Sequence, residues 1–253
     1  MTFYKYQATG NDFIFFFGNI ILSDKQITFL CNRKFGIGAD GVIIIKEKKG
    51  FDFEMIFYNP DGSQSFCGNG TRCAVMFAKK IGLINNSANL FAFDGKHSAI
   101  ILDDNKVKLN MSSVSDIEVI NNNSFFLDTG SPHFVKYSAE IDSDSFIKKC
   151  KEIRYNSRFS ENGVNVNFIS KYKTGIKIRT YERGVENETL SCGTGVTAAA
   201  LVYAKTENLS KGIVDIYSKG GELQVEFNSY NDSFSDIYLI GNADFVFKGE
   251  INV

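Results

Sequence analysis

Cys67-Gly68-Asn69-Gly70-Thr71-Arg72-Cys73 and Cys192-Gly193-Thr194-Gly195-Val196-Thr197-Ala198 decide how this chain is read. Each sets a thiol directly before Gly-x-Gly, and each runs into a small-residue stretch of helical character. At a helix N-terminus the exposed N–H groups and the macrodipole favour a thiolate. Two such thiols suggest a matched pair of acid/base groups. They stand 125 residues apart (192 minus 67). Asn32…Phe35 resembles Asn156…Phe159 at an offset of 124, and Gly10-Asn11-Asp12-Phe13 answers Gly130-Ser131-Pro132-His133-Phe134 at an offset of 120. Three patches in one order at nearly one spacing predict two homologous halves.

The halves meet where Ser and Asn cluster, between Met111-Ser112-Ser113 and Asn121-Asn122-Asn123. The expected division is 1–115 with Cys67, 116–240 with Cys192, and a terminal strand, 241–253, returning to the first half. No low-complexity linker separates the halves, so the expected site lies in a cleft between them.

Strand-length runs rich in Phe, Ile, Val and Tyr recur: Phe13–Phe17, Gly41–Lys46, Phe51–Tyr58, Asn89–Phe93, Ser98–Leu102, Lys106–Met111, Ser124–Asp128, Gly175–Tyr181, Ile213–Tyr217, Glu222–Phe227 and Ser235–Ile240. Helical patterns are few: Ser23–Asn32, Gly70–Ile81, Ser143–Ile153 and Thr194–Glu207. The reading is α+β with antiparallel sheet dominating.

The 253 residues carry a net charge of −1, so no basic surplus points to nucleic acid or an acidic membrane surface. Five cysteines in a chain this long favour a reducing compartment and thiols with individual fates. With only His97 and His133 as histidines, and no zinc-ribbon spacing, no metal site is expected. The apolar run from Phe13 to Leu22 is too short and too interrupted to span a bilayer and lacks a cleavage site, so it reads as a buried strand. The expectation is a cytoplasmic chain, with no membrane and no nucleic acid among its partners.

A free cysteine is more often an inert core residue than a catalyst. Here turn-rich Asn59-Pro60-Asp61-Gly62-Ser63 precedes Cys67, and both thiols are flanked by glycines that let a backbone approach an anion. Cys31, Cys73 and Cys150 lack that context and read as structural. Glu182-Arg183-Gly184 is either a solvated pair or a carboxylate and guanidinium aimed at a substrate; the Glu is also a candidate to orient or deprotonate the second thiol. His133 is a candidate partner for a thiol. Asn11, Asn59, Asn69 and Asn165 sit in Gly- or turn-rich loops, each a turn former alone and together able to hold a zwitterion. No dinucleotide fingerprint, Walker loop or nucleophile elbow occurs.

Taken together these motifs resemble the diaminopimelate epimerase family. The resemblance rests on Phe3-x-Lys5, Gly10-Asn11-Asp12-Phe13, Arg33-x-Phe35-Gly36-Ile37-Gly38-Ala39-Asp40, Asn59-x-Asp61-Gly62-Ser63, Cys67-Gly68-Asn69-Gly70-x-Arg72-Cys73, Gly130-x-Pro132-His133, Val164-Asn165, Glu182-Arg183-Gly184 and Thr189-Leu190-x-Cys192-Gly193-Thr194-Gly195. It implies two similar halves, each a β-barrel-like sheet around a central helix. It implies cofactor-independent interconversion of LL- and meso-diaminopimelate, on the lysine and peptidoglycan pathway, and allows a homodimer. It carries Cys67 and Cys192 over as the acid/base pair, with His133 and Glu182 in support. It makes Asn11, Asn59, Asn165, Glu182 and Arg183 substrate contacts, with Gly68, Asn69, Gly193 and Thr194 supplying N–H groups to an anion. Two positions depart from the commoner pattern: many members carry Gln where this chain has Gly41, and Asn where it has Ser131. A proline or hydroxyproline racemase with the same thiols is the rival reading. A non-catalytic binding protein on the same fold would be expected to lose a thiol, and a redox sensor would turn over no amino acid.

Overall fold

The computed structural model describes residues 1–103 and 105–252. The chain separates into two compact units, Met1–Asn110 with the segment from Gly241 on, and Met111–Ile240. In the first unit the strands are β1 (Thr2–Ala8), β2 (Asn11–Phe17), β3 (Gly41–Lys46), β4 (Phe53–Tyr58), β5 (Ser87–Ala92), β6 (Gly95–Ile101), β7 (Lys106–Asn110) and β17 (Asp244–Glu250). Its helices are α1 (Asp24–Cys31) and α2 (Gly68–Lys80). The second unit holds β8 (Glu118–Asn121), β9 (Ser124–Asp128), β10 (Pro132–Tyr137), β11 (Asn165–Tyr172), β12 (Gly175–Glu182), a short β13 (Asn187–Thr189), β14 (Lys211–Ser218), β15 (Gly221–Tyr230) and β16 (Ser233–Asn242), with α3 (Phe146–Arg154) and α4 (Gly193–Thr206).

The ladder order in the first unit is β17-β1-β2-β3-β4-β5-β6-β7, and in the second β8-β9-β10-β11-β12-β14-β15-β16. Both run antiparallel, antiparallel, parallel, antiparallel, parallel, antiparallel, antiparallel. The parallel pairs sit where a helix intervenes in sequence, because a parallel neighbour needs a crossover longer than a hairpin. α1, α2, α3 and α4 supply these four crossovers.

Local chemistry repeats as well. Asn32 Oδ1 accepts from the N–H groups of Lys34 and Phe35, and Asn156 Oδ1 accepts from those of Arg158 and Phe159. Both are side-chain-closed turns that stop the outer helix. Gly10 and Gly130 enter their strands at φ +81° and +95°. α2 ends at Gly82 (φ +79°) with Leu83 N–H bonded to Ala78 O, and α4 at Asn208 (φ +55°) with Leu209 N–H bonded to Ala204 O. The same left-handed cap thus closes both inner helices, with Asn tolerating the conformation Gly prefers. The offsets read from sequence therefore mark equivalent backbone.

α2 packs against β1, β2, β3, β4, β6, β7 and β17, and α4 against β9, β10, β11, β12, β14 and β15. A helix ringed by strands must be buried on all sides, and both are built for it. In α4 the run Gly193–Leu201 is buried throughout, as are Gly68–Val75 in α2. Small residues let the strands of each sheet, which is curved but not closed into a barrel, approach the helix closely. α1 and α3 lie outside their sheets, α1 on β3 and α3 on β11. Ser23 and Gln26 form a capping box at the start of α1, and Ile27 and Leu30 bury against Ile14, Phe16, Val42 and Ile44. β3 is sandwiched between the two helices of its unit, which is why Val42, Ile43, Ile44 and Ile45 are all buried rather than alternating. The strand expected at Phe13–Phe17 is present and begins two residues earlier, at Asn11. It stops at Phe17, because Gly18 takes φ +110°, and Ile21 is exposed.

Candidate active site

Cys67 is the N-cap of α2 and Cys192 the N-cap of α4, both with extended backbone (φ −137°, ψ 106° and φ −123°, ψ 115°). The N–H groups of a helix's first turn lie outside its own i→i−4 ladder, and here that turn begins with Gly68 and Asn69 in one unit and Gly193 and Thr194 in the other. They and the dipole present positive potential beside each sulfur. Gly70 N–H donates to Cys67 Sγ at 3.3 Å. A Cβ on Gly195 would lie 2.6 Å from Asn167 Oδ1 and 3.3 Å from His133 Cε1, so glycine is what lets that helix start sit against its neighbours.

In the first unit Cys67 Sγ lies 3.8 Å from Asn11 Oδ1, which also accepts from Asn69 Nδ2 at 3.2 Å. Asn11 Nδ2 donates to Asp40 Oδ2 at 2.8 Å, fixing the amide. Asp40 belongs to a charge cluster: Arg33 bridges Asp12 (2.6 Å) and Asp40 (2.7 Å), and Lys5 pairs with Asp12 at 2.8 Å while donating to Gly38 O. Burial works against the Asp12 carboxylate, but Arg33 and Lys5 outweigh it and hold it down at about 2. Asn11 is thus set at the sulfur by a clamp of four charged groups. Arg72, fully buried in α2, donates to Gly68 O (3.4 Å) and Asn69 Oδ1 (3.1 Å), and its Nε finds no acceptor among the described residues. Burial lowers this guanidinium to about 10, still charged at neutral pH, and Cys67 and Cys73 pull it the other way. A buried cation without a carboxylate supplies positive potential near Cys67. Asn59 spends its amide within its own loop, donating to Ser63 O, Ser63 Oγ and Ser65 Oγ at 3.1–3.2 Å.

In the second unit Cys192 Sγ lies 3.4 Å from Thr194 Oγ1, and Thr194 Oγ1 lies 2.9 Å from His133 Nε2. His133 Nδ1 lies 3.0 Å from Asn167 Nδ2. His133 has no exposed surface. Burial, and then the charge of Arg183, push its pKa down to about 3, so the ring is neutral. Asn165 Nδ2 donates to Ser131 Oγ (2.8 Å) and Pro132 O (3.2 Å), and its Oδ1 accepts from Arg183 N–H at 2.9 Å. Arg183 donates to Asn162 O at 2.9 Å, and Glu182 accepts from Thr189 Oγ1 at 2.8 Å.

Gly41 is explained by its neighbours. A Cβ there would lie 2.3 Å from Phe57 Cε2 and 2.7 Å from Tyr58 O, so this chain has filled the side-chain space with Phe57. Gly41→Gln is expected to destabilise by about 1–3 kcal/mol through overpacking, read as a lower melting temperature. Adding Phe57→Leu should restore part of the loss, and an unchanged melting temperature in Gly41→Gln alone would refute the steric account.

Asn167, Thr180, Thr129 and Arg72 were not singled out from sequence as site residues. Asn167 had a readable signal: it follows Asn165 by two, so on a strand both point to one face. Cys31, Cys73 and Cys150 are buried, and burial raises all three, Cys31 to about 11. Among the described residues no group of His, Cys, Asp and Glu has the arrangement of a metal site, and no helix is long and apolar enough to cross a membrane.

The profile of diaminopimelate epimerases matches residues 3–117 and 125–246. The chain belongs to the diaminopimelate epimerase family. It is therefore an amino-acid epimerase. It is 44% identical over 257 residues to a diaminopimelate epimerase of Flavobacterium psychrophilum, covering 99% of this chain and 100% of the relative. A Chlorobaculum tepidum diaminopimelate epimerase is 38% identical, covering 97% and 99%. Among solved structures the fold is similar to a PhzF-family phenazine biosynthesis protein of Bacillus anthracis, with a TM-score of 0.76 at 14% identity over 100% of this chain and 99% of that one.

Proposed function

We propose that this chain interconverts LL- and meso-diaminopimelate without a cofactor, by two-base proton transfer at Cα, with Cys67 and Cys192 as the two groups. The observation that carries the reading is the placement of one thiol at the N-cap of each of two equivalent inner helices in a chain of this family. Inverting a centre beside a carboxylate means taking the proton from one face and returning one to the other. One sulfur, as thiolate, takes the Cα proton; the other, as thiol, donates its S–H proton to the opposite face. The pair exchanges protonation states, so the two cysteines swap roles with substrate handedness. Charge that develops on the α-carboxylate in the carbanion is met by the N–H groups of Gly68, Asn69, Gly193 and Thr194, each such donor typically worth about 2.7–4 kcal/mol of barrier.

Asn11, Asn59, Asn165, Glu182 and Arg183 are the proposed contacts to the rest of a long, doubly zwitterionic substrate. The fixed amides of Asn11 and Asn165 support this, since a preset dipole costs no reorganisation when the substrate arrives. The experiment is inversion of pure LL-diaminopimelate measured beside inversion of L-proline. Turnover of diaminopimelate with none of proline is expected; the reverse preference would overturn the substrate assignment.

A further inference from the structure

The amide of Asn167 has only one orientation that satisfies its neighbours. Its Oδ1 accepts from Thr180 Oγ1 at 2.9 Å, and its Nδ2 faces two carbonyls, Phe134 O at 3.2 Å and Asn165 O at 3.5 Å. The group 3.0 Å from His133 Nδ1 is therefore an N–H donor. In a neutral imidazole one nitrogen accepts and the other carries the proton. Nδ1 accepts, so Nε2 carries the hydrogen and donates to Thr194 Oγ1 at 2.9 Å. Thr194 Oγ1 has then taken a donor, and its own O–H is left to point at Cys192 Sγ, 3.4 Å away. Thr129 Oγ1 donates to Thr194 O at 2.9 Å and steadies the same residue.

From this we infer that Asn167 is a positioning residue: by fixing the His133 tautomer it makes Thr194 a hydrogen-bond donor to Cys192, holding that sulfur as a thiolate. A hydrogen bond to the charged form lowers a thiol's pKa, and a flipped tautomer would turn the Thr194 hydroxyl toward His133 and withdraw it from the sulfur. Asn167 and His133 have no exposed surface, so water does not compete for these bonds. Burial keeps His133 neutral, and the positive charge of Arg183, just past β12, acts in the same direction. On the same strand Glu182 is engaged with Thr189. Cys67 is supported by other means, the buried charge of Arg72 and the Gly70 N–H, so the two thiols reach similar chemistry through different partners.

The inference rests on Cys192 being one of the acid/base pair, and its test needs no substrate, so the two fail separately. Thiolate absorbance in the ultraviolet is titrated on the full chain carrying Cys67→Ala. Cys31 is held at about 11 and Cys73 and Cys150 are raised further. A thiolate step below the range of those three is then read as Cys192. Thr194→Val and Asn167→Leu are each expected to move its midpoint up by about one pH unit or more, while Thr194→Ser, which keeps the hydroxyl, leaves it in place. A purely structural role would change melting behaviour in all of these without this ordering. A folded Thr194→Val with an unmoved midpoint overturns the donor assignment. A shift in Thr194→Val without one in folded Asn167→Leu overturns the role of Asn167. Should Asn167→Leu fail to fold, Asn167→Ser, smaller and still polar, is read in its place.

Discussion

Cys67→Ala and Cys192→Ala are each expected to lower inversion of diaminopimelate by about 100- to 10,000-fold, the range over which a positioned acid or base contributes. That corresponds to about 3–5 kcal/mol of barrier. Cys67 is half-buried and Cys192 buried, so each variant is compared at matched melting temperature, and a loss of this size in a folded variant exceeds what truncating one sulfur does through packing. The two variants should also differ from each other. A chain with one remaining base can remove the α-proton only from the epimer whose proton faces it, and returns a proton to that same face. In deuterated water each variant is therefore expected to exchange one epimer without inverting it, and the two variants should choose opposite epimers. Near-wild-type inversion in either variant would end the two-base reading.

The second large effect concerns stability. His133 is pushed down to about 3 by burial, against 6.5 for an ordinary histidine. The unfolded chain binds a proton near pH 6.5 that the folded chain refuses until about pH 3, so stability is complete above about 6.5 and falls as pH drops through that window. The slope is about 1.4 kcal/mol per pH unit for one proton. His97 behaves in the opposite sense. Burial alone would lower it, but Asp94 at 2.8 Å and the Asn110 carbonyl outweigh burial and raise it, so its contribution is present below about 6.5 and fades as pH rises above that value. Denaturant midpoints measured from pH 7 down to pH 4 should fall steeply in the wild type and more gently in His133→Gln. Parallel curves for the two proteins would show that His133 does not carry the acid sensitivity.

Much of this was written in local sequence. The two Cys-Gly-x-Gly segments, the Asn32 and Asn156 turns and the Gly10 and Gly130 bends are short-range features. Their chemistry — a thiol at a helix start, an amide closing a turn, a glycine at positive φ — does not depend on distant partners. Their common offset was therefore enough to find the repeat, and the strand runs fell where β-branched and aromatic residues cluster. The boundaries were less legible. α2 begins at Gly68 and α4 at Gly193, because glycines that look like loop residues are tolerated in a first turn whose N–H groups need no helical acceptor. β1, β10 and β11 carry Lys, His and Asn between their apolar residues, which hid them as strands, although each polar group is used: Lys5 on Asp12, His133 on Thr194, Asn165 on Ser131.

The sequence by itself determined that the chain has two equivalent halves, which two of five thiols are set apart, and which family they belong to, since these are properties of spacing and local backbone. Tertiary structure alone decided the protonation and orientation of the groups around them. His97 and His133 are the same residue in sequence, and only their neighbours, a carboxylate for one and an amide in a dry interior for the other, give them opposite responses to pH. Which way the Asn167 amide points was fixed only by its folded partners, above all the distant Thr180 hydroxyl and Phe134 carbonyl. Hydrogen-bond direction and desolvation are set by atoms distant in the chain.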